Sequence, residues 1–210
     1  QSIYNILYTL LNPQDEVILL APHWVSYPEM IKMLYGIPVV VVPEDGTFIP
    51  SMQDIEEATS SYTKAIIVNS PNNPSGAVYP EELIASLVEY CESKGIYLIM
   101  DDIYHRLIFD GKKPINCYEY AKDLSENSKL VVINGVSKAY AMTGFRIGWA
   151  VANKKLIDVM INIQSHQTSG PSVVLQKAAA GAIMGPQSSV ESLRSTLENN
   201  RTVMMDHLNS

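Results

Sequence analysis

Six short runs of uninterrupted apolar residues recur along the chain, at Val17–Leu20, Val39–Val42, Ala65–Val68, Ile96–Met100, Leu130–Ile133 and Ile147–Ala152. None alternates with polar residues, so each reads as a strand covered on both faces. The stretches between them carry helix signals. Ile3, Ile6, Leu7, Leu10 and Leu11 form one helical stripe, stopped by Asn12-Pro13. Pro28–Tyr35 is closed by Gly36, Ser51–Thr59 opens on a Ser51-x-x-Asp54 box, and Pro80–Lys94 is closed by Gly95. Strand, helix and strand in this order predict an α/β fold, a mostly parallel sheet with helices on both faces. The last sixty residues are expected to be helical throughout, over Lys154–Ile163, Val173–Met184 and Val190–Leu208.

A sheet of this size needs a chain long enough to cover it, and 210 residues suffice for one large domain. Hydrophobic residues at 47% and charged residues at 18% are those of a folding globular chain. The net charge of -7 and the scattered Lys and Arg argue against a nucleic-acid groove. The apolar runs fall far short of the roughly 20 residues that span a bilayer, so no membrane role is expected. Cys91 and Cys117 lack metal-ligand spacing, so no metal site is expected; they fit free thiols in a reducing compartment, the cytoplasm. The chain begins almost inside a helix, without a leader or cap, and ends inside another. It is expected to be cut from a longer one.

In open α/β sheets ligands bind outside the carboxyl ends of the strands, so the residues that follow each run are the candidates for chemistry. After the first run come Pro22-His23-Trp24, after the third Asn69-Ser70-Pro71-Asn72-Asn73-Pro74-Ser75-Gly76, after the fourth Asp101-Asp102-Ile103-Tyr104, and after the fifth Asn134-Gly135-Val136-Ser137-Lys138. All would converge on one rim. A carboxylate at the end of a buried strand, such as Asp101, ionises only beside a cation or several donors; a protonated ring nitrogen is one such partner, and a simple turn is the alternative. Lys138 in sheltered surroundings has the chemistry of a carbonyl nucleophile or a base, unless it is merely solvated. Arg146, entering the next strand, calls for an anion: a phosphate, or a structural carboxylate such as Asp102. Trp24 offers a stacking face or a packing surface. Asn73 can donate to a ligand oxygen or cap its own turn, and Tyr104 brings a phenol or fills the core. An aldehyde-reactive amine, a carboxylate for a ring nitrogen, donors for a ring oxygen, a stacking face and a phosphate-binding cation together describe a site for pyridoxal 5'-phosphate.

Four strings carry a resemblance to a known family: Pro22-His23-Trp24-Val25-Ser26-Tyr27-Pro28-Glu29, Ser70-Pro71-Asn72-Asn73-Pro74-Ser75-Gly76, Asp101-Asp102-Ile103-Tyr104, and Ser137-Lys138-Ala139-Tyr140-Ala141-Met142-Thr143-Gly144-Phe145-Arg146-Ile147-Gly148. In this order they resemble the class I/II aminotransferases of the fold-type I pyridoxal-phosphate superfamily, above all their bacterial aspartate aminotransferase branch. The resemblance implies that Lys138 forms the aldimine with the cofactor and shuttles the substrate proton. It implies that Asp101 pairs with the ring nitrogen, Asn73 and Tyr104 bind the ring oxygen, Trp24 stacks on the ring, Arg146 holds the phosphate, and Ser137 adds a phosphate contact. The implied reaction moves an amino group from an L-amino acid, aspartate, to a 2-oxo acid, 2-oxoglutarate, in a homodimeric cytoplasmic enzyme.

By the same resemblance residues 1–190 are the cofactor-binding large domain without its first strand and phosphate loop, and residues 191–210 begin the helix that leads to a small C-terminal domain. Such a fragment alone is expected to be inactive. Two departures stand out: Gly135 occupies a position where many relatives carry a phosphate-binding Ser, and Asp102 replaces the usual Glu. The competing readings are a carbon–sulfur lyase with the same cofactor and an aminotransferase-like sensor domain of a transcription regulator.

Overall fold

The structure, a computed structural model, describes residues 1–43, 46–113, 115–120 and 127–210. Six strands form one sheet: β1 (Glu16–Leu20), β2 (Ile37–Val41), β3 (Thr63–Asn69), β4 (Tyr97–Asp101), β5 (Leu130–Gly135) and β6 (Gly148–Val151), in the order β2-β1-β3-β4-β5-β6. The first five run parallel and β6 pairs antiparallel with β5, Gly135 facing Gly148. The α/β class and the mostly parallel sheet are those expected from the apolar runs.

Alternate residues of the central strands feed two separate cores. Ile18, Ile66, Leu98 and Val132 face α3 (Met52–Ala58) and α4 (Glu81–Lys94), through Ile55, Ile84 and Leu87. Val17, Leu19, Ile67, Ile99 and Val131 face α1 (Ser2–Leu10), α2 (Ser26–Met33) and α5 (Lys154–Gln167), through Ile6, Leu7, Ile31 and Leu156. A strand buried on both faces has no reason to alternate in polarity, which is why β1, β3, β4 and β5 read as unbroken apolar runs. The expectation fails at the two edges. Strand β2 exposes Ile37 and Val40, and no residue of β6 is fully buried. An edge strand has a neighbour on one side only, so an apolar run there does not imply burial on both faces.

Local chemistry sets the helix boundaries. Ser51 and Asp54 form the reciprocal capping box at the start of α3. Helix α4 carries Glu81 and Glu82 in its first turn and Lys94 in its last, complementing its dipole, and ends on Gly95 in the left-handed conformation. Gly36 does not close α2 in this way. Tyr35 takes the left-handed residue (φ 61°), and Gly36 is instead a point of close approach, where a Cβ would lie 3.0 Å from Ile31 Cγ2 and 3.1 Å from Leu11 Cδ1. Two further helices, α6 (Val173–Met184) and α7 (Ser188–Leu208), pack through few buried residues. Helix α7 is tied to the loop after β4, where Arg194 donates to the Ile108 carbonyl and Arg201 pairs with Asp110. Among the described residues no helix is long and apolar enough to cross a membrane.

Candidate functional site

From β1 the chain crosses to β2 on one side and then returns to β3 on the other, so the strand order reverses between β1 and β3. At such a point consecutive connections diverge and leave a crevice at the carboxyl ends of the strands. A cavity of about 850 Å³ opens there. Trp24, Asn73, Asp101, Tyr104, Ser137, Lys138 and Arg146 all line it, although 122 positions separate the first from the last (146 − 24 = 122). Each stands just beyond a strand end or at the mouth of β6.

Asp101 ends β4 and is buried. Its Oδ2 accepts the Tyr27 phenol at 2.6 Å. Burial pushes its carboxyl above the usual range, while the Tyr27 hydrogen bond, the Ile103 backbone N–H and the Lys138 charge pull it back down. Burial and the neighbouring carboxylate push the Tyr27 phenol far up, so it stays a donor. The same tyrosine meets Trp24 edge-to-face, ring centroids 5.4 Å apart. Trp24 is 39% exposed and lines the cavity.

Asn69, at the end of β3, ties two of these elements together. Its Nδ2 donates to the Asp101 carbonyl at 2.9 Å, and its Oδ1 accepts the Asn73 N–H at 2.8 Å. The turn that presents Asn73 is closed by Asn72, whose Oδ1 accepts from Ser75. The Asn73-Pro74, Ser70-Pro71 and Ala21-Pro22 peptides are cis.

Lys138 follows β5 on a tight turn and is half-buried. Its Nζ lies 5.6 Å from the centre of the Tyr104 ring and has no hydrogen bond or ion pair among the described residues. Its charge acts on Asp101 across the cavity floor. Arg146 adopts the left-handed conformation (φ 55°) at the entrance to β6, and its Nη1 donates to the Thr143 carbonyl at 2.9 Å. Among the described residues no carboxylate pairs with it, so the structural ion pair to Asp102 is not formed; Asp102 packs against Cys117 of the opposite core. Between Lys138 and Arg146 the backbones of β5 and β6 nearly touch. A Cβ on Gly135 would lie 2.8 Å from the Ile147 carbonyl oxygen. A serine at this position would force the two strands to shift apart.

Tyr27 and Asn69 are the two residues whose contribution the sequence reasoning passed over. Tyr27 sits inside the first motif string and Asn69 immediately before the second, and the i, i+3 spacing of Trp24 and Tyr27 is the available signal. Nothing in the sequence says that Tyr27 turns toward β4. Cys91 and Cys117 are buried free thiols away from the cavity.

The sequence matches a family model described as aminotransferase class I and II over residues 1–210. Among curated proteins it is similar to the aspartate aminotransferase of Geobacillus stearothermophilus, 39% identical over 99% of this chain and 52% of that protein. It is also similar to the aspartate/prephenate aminotransferase of Thermus thermophilus, 36% identical over 99% of this chain and 54% of that protein. Among solved structures, the aspartate aminotransferase from Rhizobium meliloti superposes with a TM-score of 0.91 at 32% identity, over 99% of this chain and 52% of that one. The chain thus spans about half the length of the curated relatives it matches.

Proposed function

The chain belongs to the class I and II aminotransferases, and from that premise we propose that its cavity holds pyridoxal 5'-phosphate in an enzyme that moves an amino group from aspartate to 2-oxoglutarate. The observation that carries this reading is the pairing, in one cavity, of a Lys138 amine that has no hydrogen-bond partner among the described residues and a buried Asp101 carboxylate. Residues 1–190 form the cofactor-binding domain, and residues 191–210 begin a helix toward a second one. The complete protein works as a homodimer in the cytoplasm, on small amino and oxo acids rather than on nucleic acid or membranes.

The donor set fits the cofactor. A buried carboxylate that makes no ion pair among the described residues suits a protonated ring nitrogen, a partly exposed indole in the cavity lining suits a flat ring, and an exposed guanidinium at the mouth suits a phosphate. When bound, pyridoxal phosphate supplies the electron sink that makes a Cα–H bond of an amino acid acidic. The protein's residues do the rest. Asp101 holds the proton on the ring nitrogen, and Tyr27 and Asn69 hold Asp101. Asn73 and Tyr104 bind the ring oxygen, Trp24 orients the ring, and Arg146 with Ser137 anchors the phosphate. Lys138 Nζ would be the group that holds the aldehyde carbon, and as a free amine it would be the base placed to take the proton from the substrate Cα.

The test is to supply the full-length protein with pyridoxal phosphate, aspartate and 2-oxoglutarate and to follow both products. Oxaloacetate and glutamate in equal amounts are expected. Release of pyruvate and ammonia from an amino acid without any oxo-acid acceptor would instead make it a lyase.

A further inference from the structure

Behind Asp101 lies a second buried carboxyl that no step above uses. Asp102 is 2% exposed and does not line the cavity. Its Oδ2 faces Asn134 Nδ2 at 3.3 Å, its Oδ1 faces Cys117 Sγ at 3.8 Å, and its Oδ2 is 3.8 Å from His105 Nδ1. Tyr118 stands beyond Cys117 and accepts from Trp149 Nε1.

The hydrogen-bond inventory fixes the charges in this cluster. Asn134 Oδ1 accepts the Gly135 N–H at 2.7 Å, which orients the amide and leaves Nδ2 as the donor. Nδ2 lies 2.9 Å from His105 Nδ1 and 3.3 Å from Asp102 Oδ2, and Asn134 also hydrogen-bonds the Tyr118 phenol, so Asp102 shares its amide donor with two other acceptors. A ring nitrogen that accepts carries no proton, so His105 is the neutral Nε2–H tautomer. Nδ1 also lies 3.0 Å from the Asp102 carbonyl, but a proton placed there would oppose the Asn134 N–H. Burial, with the charge of Arg106 adding to it, lowers the His105 imidazole against the opposing pull of the Asp102 carbonyl, which likewise disfavours a histidine cation. Among the described residues Asp102 therefore has no cationic partner, one amide N–H and one weak thiol contact. That is too little for a buried anion.

The adjacent residue has what Asp102 lacks. Asp101 accepts the Tyr27 phenol and the Ile103 N–H and feels the Lys138 charge. Two carboxylates this close do not both ionise readily, and the better-supplied one keeps the charge. We propose that Asp102 is a positioning residue held as a neutral carboxylic acid, so that the end of β4 carries one negative charge, on Asp101, directed into the cavity. Burial and the Asp101 charge push the Asp102 carboxyl up to about 8, in keeping with that assignment. The role this gives Asp102 in catalysis rests on the cofactor reading above; its protonation state does not.

Infrared spectroscopy of the full-length protein, free of cofactor and at neutral pH, reads the acid directly. A carboxylic C=O stretch that shifts in D2O is expected in the wild type, lost in Asp102→Asn and kept in Asp101→Asn. No such band, or a band that survives Asp102→Asn and disappears in Asp101→Asn, overturns the proposal. Should Asp102→Asn not fold, Asp101→Asn decides by itself: the band kept supports, the band lost refutes. With pyridoxal phosphate added, the pH midpoint of the lysine-bound chromophore should stay within about twofold in proton affinity in Asp102→Asn and move about tenfold or more in Asp101→Asn. A wild type that takes up no pyridoxal phosphate would sink the cofactor reading and leave the infrared result to judge Asp102.

Discussion

The phenol of Tyr27 donates to Oδ2 of Asp101 over 2.6 Å, with both groups buried and 74 positions apart in sequence. A helix-borne side chain thus offsets part of what burial costs the charge of a strand-end carboxylate, and it does so while packing edge-to-face with Trp24. Removing the hydroxyl leaves the carboxylate one donor short, at a cost of about 1–3 kcal/mol to its charged form. On the function proposed above, Tyr27→Phe in the full-length protein should keep the fold, lower kcat about tenfold or more, and weaken retention of pyridoxal phosphate. Unchanged kcat and cofactor affinity would show that the bond is incidental.

Lys138 brings an amine to the cavity that has no hydrogen bond or ion pair among the described residues. Lys138→Ala should abolish the visible absorbance of the lysine-bound cofactor and cut turnover by about 10²–10⁴-fold or more, the range for losing a proton-transfer group. Persistence of that absorbance, measured after dialysis against excess cofactor, would remove Lys138 from its role.

Asp102 makes stability depend on pH with a definite sign. Its folded-state value near 8 lies above the ordinary 3.8, so the folded protein binds this proton more tightly than the unfolded chain. The contribution is complete below the ordinary value and is lost as pH rises through the folded one. Urea unfolding of wild type and Asp102→Asn, compared pH by pH, should show the wild type losing ground across that window. A constant difference between them would contradict the assignment.

Gly135→Ser tests whether β5 and β6 truly approach. Any Cβ at that position meets the Ile147 carbonyl at 2.8 Å, so the ladder must shift. Thermal unfolding should report a loss of about 1–3 kcal/mol, the usual cost of overpacking. A serine variant as stable as wild type would mean that the strands have room.

The course of the chain through the sheet is legible in the sequence because strands such as Ala65–Val68 and Leu130–Ile133 are buried on both faces and announce themselves as unbroken runs. The same rule misleads at Val39–Val42, since hydrophobicity does not tell an edge from a centre. The antiparallel sense of β6 is not encoded in its own residues; it follows from the short return after Lys138. Trp24, Asp101 and Lys138 could be picked out because each follows a strand, and the sheet rule gathers strand ends. Tyr27, Asn69 and the Asp102–Asn134–His105 cluster could not. Their parts depend on which way a side chain turns once distant strands lie in register, as Asn69 does beside Asp101.

The reversal at β6 has one more consequence. Lys138 and Arg146 lie on a single excursion whose two feet are pinned to each other, Val136 N–H to the Ile147 carbonyl and Gly135 opposite Gly148. The excursion acts as a calliper: the amine and the guanidinium are its two jaws, and the number of residues between them sets the gap. On the cofactor reading proposed above, lengthening it by one residue would leave the sheet standing and the jaws mis-set, loosening the hold on a molecule of fixed length without loss of shape.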